Sequence, residues 1–145
     1  FELDINSTKD NRLIIHHDRC FDDKQYKGQP HYKKCIKDLF RDEVREMRVW
    51  KKYRIPEFNG AFFYTLIESG FKGRMIVEVK DIHTDTSREK LISLVDIYRD
   101  KLDLSYLAFP KAFKRSFPDK DKWCPKLKLI HKAGKAKNEK NNYCK

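Results

Sequence analysis

Apolar positions change period along the chain, and the changes mark out elements. Leu13-Ile14-Ile15 opens an apolar run into His16-His17-Asp18-Arg19-Cys20-Phe21, a segment that reads as helical. From His31 to about Tyr53, Ile36, Leu39, Phe40, Val44, Met47 and Trp50 recur at three- and four-residue steps. That spacing predicts one long amphipathic helix, ended by Pro56. Phe58–Ile67 is aromatic-rich around Gly60 and fits helix or strand. Gly70-Phe71-Lys72-Gly73 is a turn. Arg74–Ile82 sets Met75, Val77 and Val79 against Arg74, Glu78 and Lys80, so it predicts a strand, with Ile76 breaking the polar face. A helix is expected from Thr86, with Glu89 in capping-box position and Leu91, Leu94, Val95, Tyr98 and Leu102 as its apolar stripe.

The remaining stretches carry weaker signals. Residues 1–12 are polar and read as irregular. Residues 22–31, with Gly28 and Pro30, read as a loop. Pro110 and Pro118 bound an irregular stretch, and alternation in Lys126-Leu127-Lys128-Leu129 suits a short strand. No internal repeat is visible. The expected fold is mostly α with a minor α+β character: a disulfide-bridged antiparallel helix pair, a small β element and a further C-terminal helix. Residues 1–125 would form the body, and residues 126–145 a Lys-rich segment tied back by Cys144.

Composition fits this reading. The 145 residues are 39% hydrophobic and 13% aromatic, enough for one domain with a real core. Charge is uneven. Of the net +11, residues 111–145 carry +9 and residues 1–110 only +2. No apolar run approaches the roughly 18 residues of a membrane span. Without an initiator Met or a signal-peptide pattern, the chain reads as mature or trimmed. Four Cys, at 20, 35, 124 and 144, and the sequon Asn6-Ser7-Thr8 lead us to expect a secreted, extracellular, oxidised glycoprotein modified at Asn6. The Cys spacings do not suit zinc.

Candidate chemistry centres on His17. If Cys20 and Cys35 bridge two antiparallel helices, His17 and Asp38 come to one level, one turn from the bridge. A His beside a carboxylate is the core of a water-activating dyad. Asp18 could ligate a hard cation such as Ca2+. The same residues also fit an ordinary buried His17 and a purely structural staple. Glu78-Val79-Lys80 has the Glu-x-Lys pattern of a nuclease metal site, which needs an Asp on a neighbouring strand. Near it in sequence only Glu68 is available, and strand alternation explains the pattern equally well.

His17-Asp18-Arg19-Cys20-Phe21 resembles the active-site helix of secreted phospholipase A2. Asp38-Leu39-Phe40-Arg41-Asp42 and Phe58–Ile67 resemble, in the same order, the second helix and a later segment of the bee-venom-type (group III) enzymes. The likeness covers about residues 13–67. It implies His17 as general base, Asp18 as calcium ligand and Asp38 as the orienting carboxylate. The chain departs from that pattern: residues 1–16 contain no Gly to wrap a calcium ion, Ile14-Ile15 replaces the double Cys, and Ile36 follows Cys35 where the family has its catalytic Asp. The resemblance therefore implies a scaffold of venom or salivary type that has lost catalysis and needs no cofactor, Ca2+ being required only by an active phospholipase.

The Lys-rich segment offers a binding role. Lys126, Lys128, Lys132, Lys135, Lys137 and Lys140 attract polyanions by counterion release, and pairing Cys124 with Cys144 would close them into a loop. The expected function is a secreted, non-catalytic phospholipase A2-like protein. It would bind an anionic partner such as a sulfated glycan (heparin-like), a lipid surface or a host protein, with nucleic acid not favoured. The alternatives are an active Ca2+-dependent phospholipase A2 and an unrelated α+β secreted binding protein.

Overall fold

A computed structural model describes residues 1–134 and 141–145. Its centre is a five-stranded sheet in the order β2-β1-β5-β6-β7. The strands are β1 (Glu2–Ser7), β2 (Leu13–Ile15), β5 (Arg74–Asp81), β6 (Asp103–Ala108) and β7 (Ile130–Lys132). All neighbours run parallel except β2, which returns antiparallel on β1. A separate hairpin pairs β3 (Arg48–Val49) with β4 (Tyr53–Arg54). The helices are α1 (Arg41–Val44), α2 (Gly60–Glu68), α3 (Asp85–Tyr98), α4 (Pro110–Ser116) and α5 (Lys120–Leu127). None of the described helices is long and apolar enough to cross a membrane.

Alternation along the strands creates two unlike faces. Leu3 and Ile5 of β1, Met75, Val77 and Val79 of β5, and Leu104, Tyr106 and Ala108 of β6 point one way. There they meet Phe63 of α2, Leu91, Ile92 and Val95 of α3, Phe113 of α4, and Trp123 and Leu127 of α5. Helix starts are fixed by side chains: Asn59 accepts from the Phe62 amide at 3.0 Å and Thr84 from the Ser87 amide at 3.1 Å. The opposite face of β1 and β5 carries Glu2, Asp4, Asn6 and Glu78, with Asp4 directly across from Glu78. A second core of Ile14, Phe21, Tyr26, Ile36, Leu39, Val44, Met47 and Ile55 supports the segment between β2 and α2.

The mostly helical expectation is overturned, because the structure is α/β around a mixed sheet. No long helix spans His31–Tyr53. Lys33, Trp50 and Lys51 have φ of 71°, 53° and 58°, which an α-helix excludes, and only α1 and a 3-10 turn at Ile36–Asp38 are helical before the hairpin. The three- and four-residue apolar spacing instead feeds the second core. The helix pair is absent too: Cys20 and Cys35 are disulfide-bonded across an antiparallel bridge between extended segments. Residues 2–7, read as irregular, form an inner strand of the sheet, and the stretch after Phe109 is helical. Strand 74–81 and helix 85–98 lie where the periodicity puts them.

Cys124 is bonded to Cys144. This holds Asn142 and Tyr143 against β7, where the Tyr143 amide donates to the Ile130 carbonyl at 3.0 Å.

Candidate active site

Three carboxylates meet on the polar face of the sheet. Ligand-capable oxygens of Glu2, Asp4 and Glu78 all lie within 4.8 Å of one another, the one such group among the described residues. The backbone makes this meeting unavoidable. Glu2 and Asp4 are two residues apart on β1, and parallel pairing puts Glu78 of β5 opposite Asp4. Lys80 sits on the same group, its Nζ 2.5 Å from Glu78 Oε2 and 3.8 Å from Asp4 Oδ1.

The electrostatics are those of crowded anions. Burial and the adjacent Glu78 push the Asp4 carboxyl up to about 6. Glu78 moves the other way: burial opposes its charge, but hydrogen bonds with Lys80 and Glu2 outweigh it and hold the carboxyl below its usual range. Below about pH 6 a proton on Asp4 relieves the crowding, and above it all the burden falls on Lys80. One ammonium does not balance three carboxylates. An all-oxygen donor set of this kind fits a hard divalent cation such as Mg2+, Mn2+ or Ca2+.

His17 stands beside this group. A cavity of about 310 Å³ is lined by Glu2, Asp4, His16, His17, Asp18 and Tyr26, among others. The His17 side chain is 75% exposed, and its Nδ1 donates to Asp18 Oδ1 at 2.8 Å. The loop under it is tightly held. Asn6, fully buried on β1, donates from Nδ2 to the carbonyls of His16 at 2.8 Å and Asp18 at 3.2 Å. His16 donates from Nδ1 to the Asp18 carbonyl and accepts at Nε2 from the Tyr26 hydroxyl at 2.8 Å. Burial holds its imidazole below the usual range, in keeping with that neutral tautomer. Arg19 reaches Asp81 Oδ2 at 3.3 Å, Arg115 lies 3.6 Å from Oδ1 of the same buried carboxylate, and Cys20 follows in its disulfide.

A glycerophosphoryl diester phosphodiesterase sequence model matches residues 1–144. The chain belongs to the glycerophosphoryl diester phosphodiesterase family. Solved structures share the fold at low identity. A glycerophosphodiester phosphodiesterase from Parabacteroides distasonis is 19% identical with a TM-score of 0.60, over 90% of this chain and 50% of that one. A putative glycerophosphoryl diester phosphodiesterase from Silicibacter pomeroyi is 12% identical with a TM-score of 0.62, over 90% and 53%. A glycerophosphodiester phosphodiesterase from Agrobacterium tumefaciens is 19% identical with a TM-score of 0.56, over 81% and 50%. The chain thus spans about half the length of these structures. No curated protein matches it.

Membership in the glycerophosphoryl diester phosphodiesterase family corrects the functional expectation. The family match and the α/β fold overturn the phospholipase A2 likeness, and with it the non-catalytic, heparin-binding, venom-type reading. Of the short motifs that carried that likeness, His17–Phe21 sits on a loop, Asp38–Asp42 runs from a 3-10 turn into the one-turn α1, and only Phe58–Ile67 lies on a longer helix, α2, so no helix pair forms. His17 does face a cavity with carboxylates, but its hydrogen-bond partner is its neighbour Asp18. Asp38 closes the 3-10 turn, where its charge bears on His83. Asp18 lines the cavity through the His17 contact, while Glu2, Asp4 and Glu78 form the cation-ready group. The sequence reading missed Glu2 and Asp4, although the alternation Glu2-Leu3-Asp4-Ile5-Asn6 is a strand signal. Glu78 was seen, but its partner Asp4 lies far away in sequence.

The other singled-out residues are spread out. Asn6 is buried, and a glycan on Nδ2 would displace both of its hydrogen bonds. Lys126 pairs with Glu89, Lys128 caps α5 with φ of 67°, and Lys132 ends β7. Lys135, Lys137 and Lys140 lie outside the described residues.

Proposed function

We propose that this chain hydrolyses phosphodiesters of the glycerophosphodiester class, with a divalent cation held by Glu2, Asp4 and Glu78. The observation that carries the reading is the convergence of those three carboxylates beside His17, in a chain of this family. A bound cation would supply charge neutralisation for the phosphate oxygens.

The residues divide the remaining work. Lys80, already against the carboxylates, adds positive charge where a phosphate anion would sit. Asp18 holds the Nδ1 hydrogen of His17, which fixes the tautomer and frees Nε2 for proton exchange. In hydrolysis, water adds to phosphorus and the bond from phosphorus to the leaving alcohol breaks. Nε2 of His17 takes up a proton and delivers it to that departing oxygen, while the attacking water gives up its own proton to solvent. The two disulfides support work in an oxidising, extracellular-type compartment.

The test is ³¹P NMR of glycerophosphocholine with the full chain and Mg2+. The diester resonance should give way to a monoester, and chelator, Asp4→Asn and His17→Ala should each abolish the change. Persistent diester with folded, cation-loaded protein would refute the proposal.

A further inference from the structure

We propose that the β3–β4 hairpin is a membrane-docking element fitted to an anionic lipid surface. The docking rests on the hairpin itself; only its consequence for orientation rests on the phosphodiesterase reading. Residues 48–54 read Arg48-Val49-Trp50-Lys51-Lys52-Tyr53-Arg54, four cations and no acid. Trp50 is 70% exposed and Tyr53 57% exposed, whereas the other tryptophan, Trp123, is buried. No acidic group pairs with Lys51, Lys52 or Arg54 among the described residues. Lys52 Nζ instead lies 5.2 Å from the centre of the Tyr53 ring.

The turn itself argues that these side chains are there for a purpose. Trp50 and Lys51 are consecutive residues with positive φ. The register Val49↔Tyr53 leaves a three-residue loop, and at its two positive-φ positions Asn and Gly are the residues that adopt that backbone with little strain. A Trp and a Lys in those positions accept strain to present a large ring and a charge at the tip. Strain of this sort collects at functional sites.

The chemistry of the tip matches one environment. Trp and Tyr rings settle at the headgroup level of a bilayer, where an apolar body and a polar edge are both satisfied. Lys and Arg around them gain from the negative potential of anionic lipids.

The hairpin is also held rigidly at the mouth of the candidate active site. The Trp50 amide donates to Gln25 Oε1 at 2.8 Å, and the Arg48 backbone exchanges two hydrogen bonds with the Gln29 side chain, at 2.6 and 2.9 Å. Val49 and Gln25 line the same cavity as Asp4 and His17. A tip seated in the headgroup layer would bring that cavity to the lipid surface, where phosphodiesters are concentrated.

The experiment is co-sedimentation of the full chain with phosphatidylcholine vesicles, with and without phosphatidylserine, alongside tryptophan emission. Wild type should bind the phosphatidylserine vesicles, less so as salt rises, with a blue shift that reports Trp50. Trp50→Asn keeps a residue that tolerates positive φ and should weaken binding about tenfold. Lys51→Asn combined with Lys52→Gln should weaken it at least as much. Circular dichroism and the buried Trp123 signal confirm that the variants fold. Turnover of soluble glycerophosphocholine by Trp50→Asn should equal that of wild type, which separates loss of docking from loss of the catalytic site. Wild type that ignores phosphatidylserine vesicles, or variants that bind them as wild type does, would overturn the proposal.

Discussion

Asn6 grips the backbone on both sides of His17: its Nδ2 donates to the His16 carbonyl at 2.8 Å and to the Asp18 carbonyl at 3.2 Å. Because Asn6 is two residues from Asp4 on one face of β1, a single strand fixes both the carboxylates and the histidine. Asn6→Ala should leave the His16 carbonyl without its side-chain donor and the Asp18 carbonyl with His16 Nδ1 alone, and cost about 1–3 kcal/mol of stability. Diester turnover should fall about tenfold, through kcat more than KM, while cation affinity measured by calorimetry stays as in wild type. A matched fall in cation affinity would show that Asn6 supports the carboxylates instead.

Asp4 predicts an opposition between stability and function. With its carboxyl pushed up to about 6, from an ordinary 3.8, the cation-free folded state holds a proton that the unfolded chain has lost. The unfolded state therefore binds fewer protons between those values, and Asp4's contribution lowers stability as pH rises from about 4 to about 6. Asp4→Asn should stabilise the cation-free protein at neutral pH, by on the order of 1 kcal/mol, and remove activity. Thermal melts at pH 5 and pH 7, with and without Mg2+, check the sign. Added Mg2+ should raise the wild-type Tm at pH 7 and do little at pH 5, because the proton competes for Asp4.

Lys80 neutralises Glu78 in the cation-free state. Lys80→Met removes a competing positive charge, so a divalent cation should bind at least as tightly as in wild type. Turnover should nevertheless drop, by roughly 100-fold, because the phosphate loses its countercharge. Parallel calorimetry and kinetics would show the split.

The Cys20–Cys35 disulfide closes a loop that starts three residues beyond His17. Replacing both cysteines with Ser should cost about 2–4 kcal/mol of stability. Activity should also fall below what unfolding explains, because Arg19 and the His17 loop lose their anchor. A variant with Cys124 and Cys144 replaced by Ser, assayed before and after reduction, isolates the same bridge.

Legibility in the sequence followed the range of the forces involved. β5 and α3 were readable because their burial patterns repeat locally, at periods of two and about 3.6. The His17 segment was singled out, but its helix was not real, because Leu13–Ile15 pairs with β1 and the chain then turns. The 31–53 region misled for a different reason. Ile36, Leu39, Val44 and Met47 are spaced like a helix face yet are buried by a looped chain around Phe21 and Tyr26. The carboxylate group was the least visible part. Glu78-Val79-Lys80 suggested a metal site in need of an Asp on the next strand, and Asp4 meets that need from the far end of the chain. Parallel pairing across so many residues leaves no local trace.

The most direct measurement is a titration of the full chain with Mn2+, read by electron paramagnetic resonance. The account predicts one tightly bound Mn2+ per chain at neutral pH, displaced by excess Mg2+. It should be lost in both Asp4→Asn and Glu78→Gln, with circular dichroism unchanged. A folded wild-type chain that leaves Mn2+ free in solution, or an Asp4→Asn variant that binds it equally well, would contradict the assignment of Glu2, Asp4 and Glu78 as the cation centre.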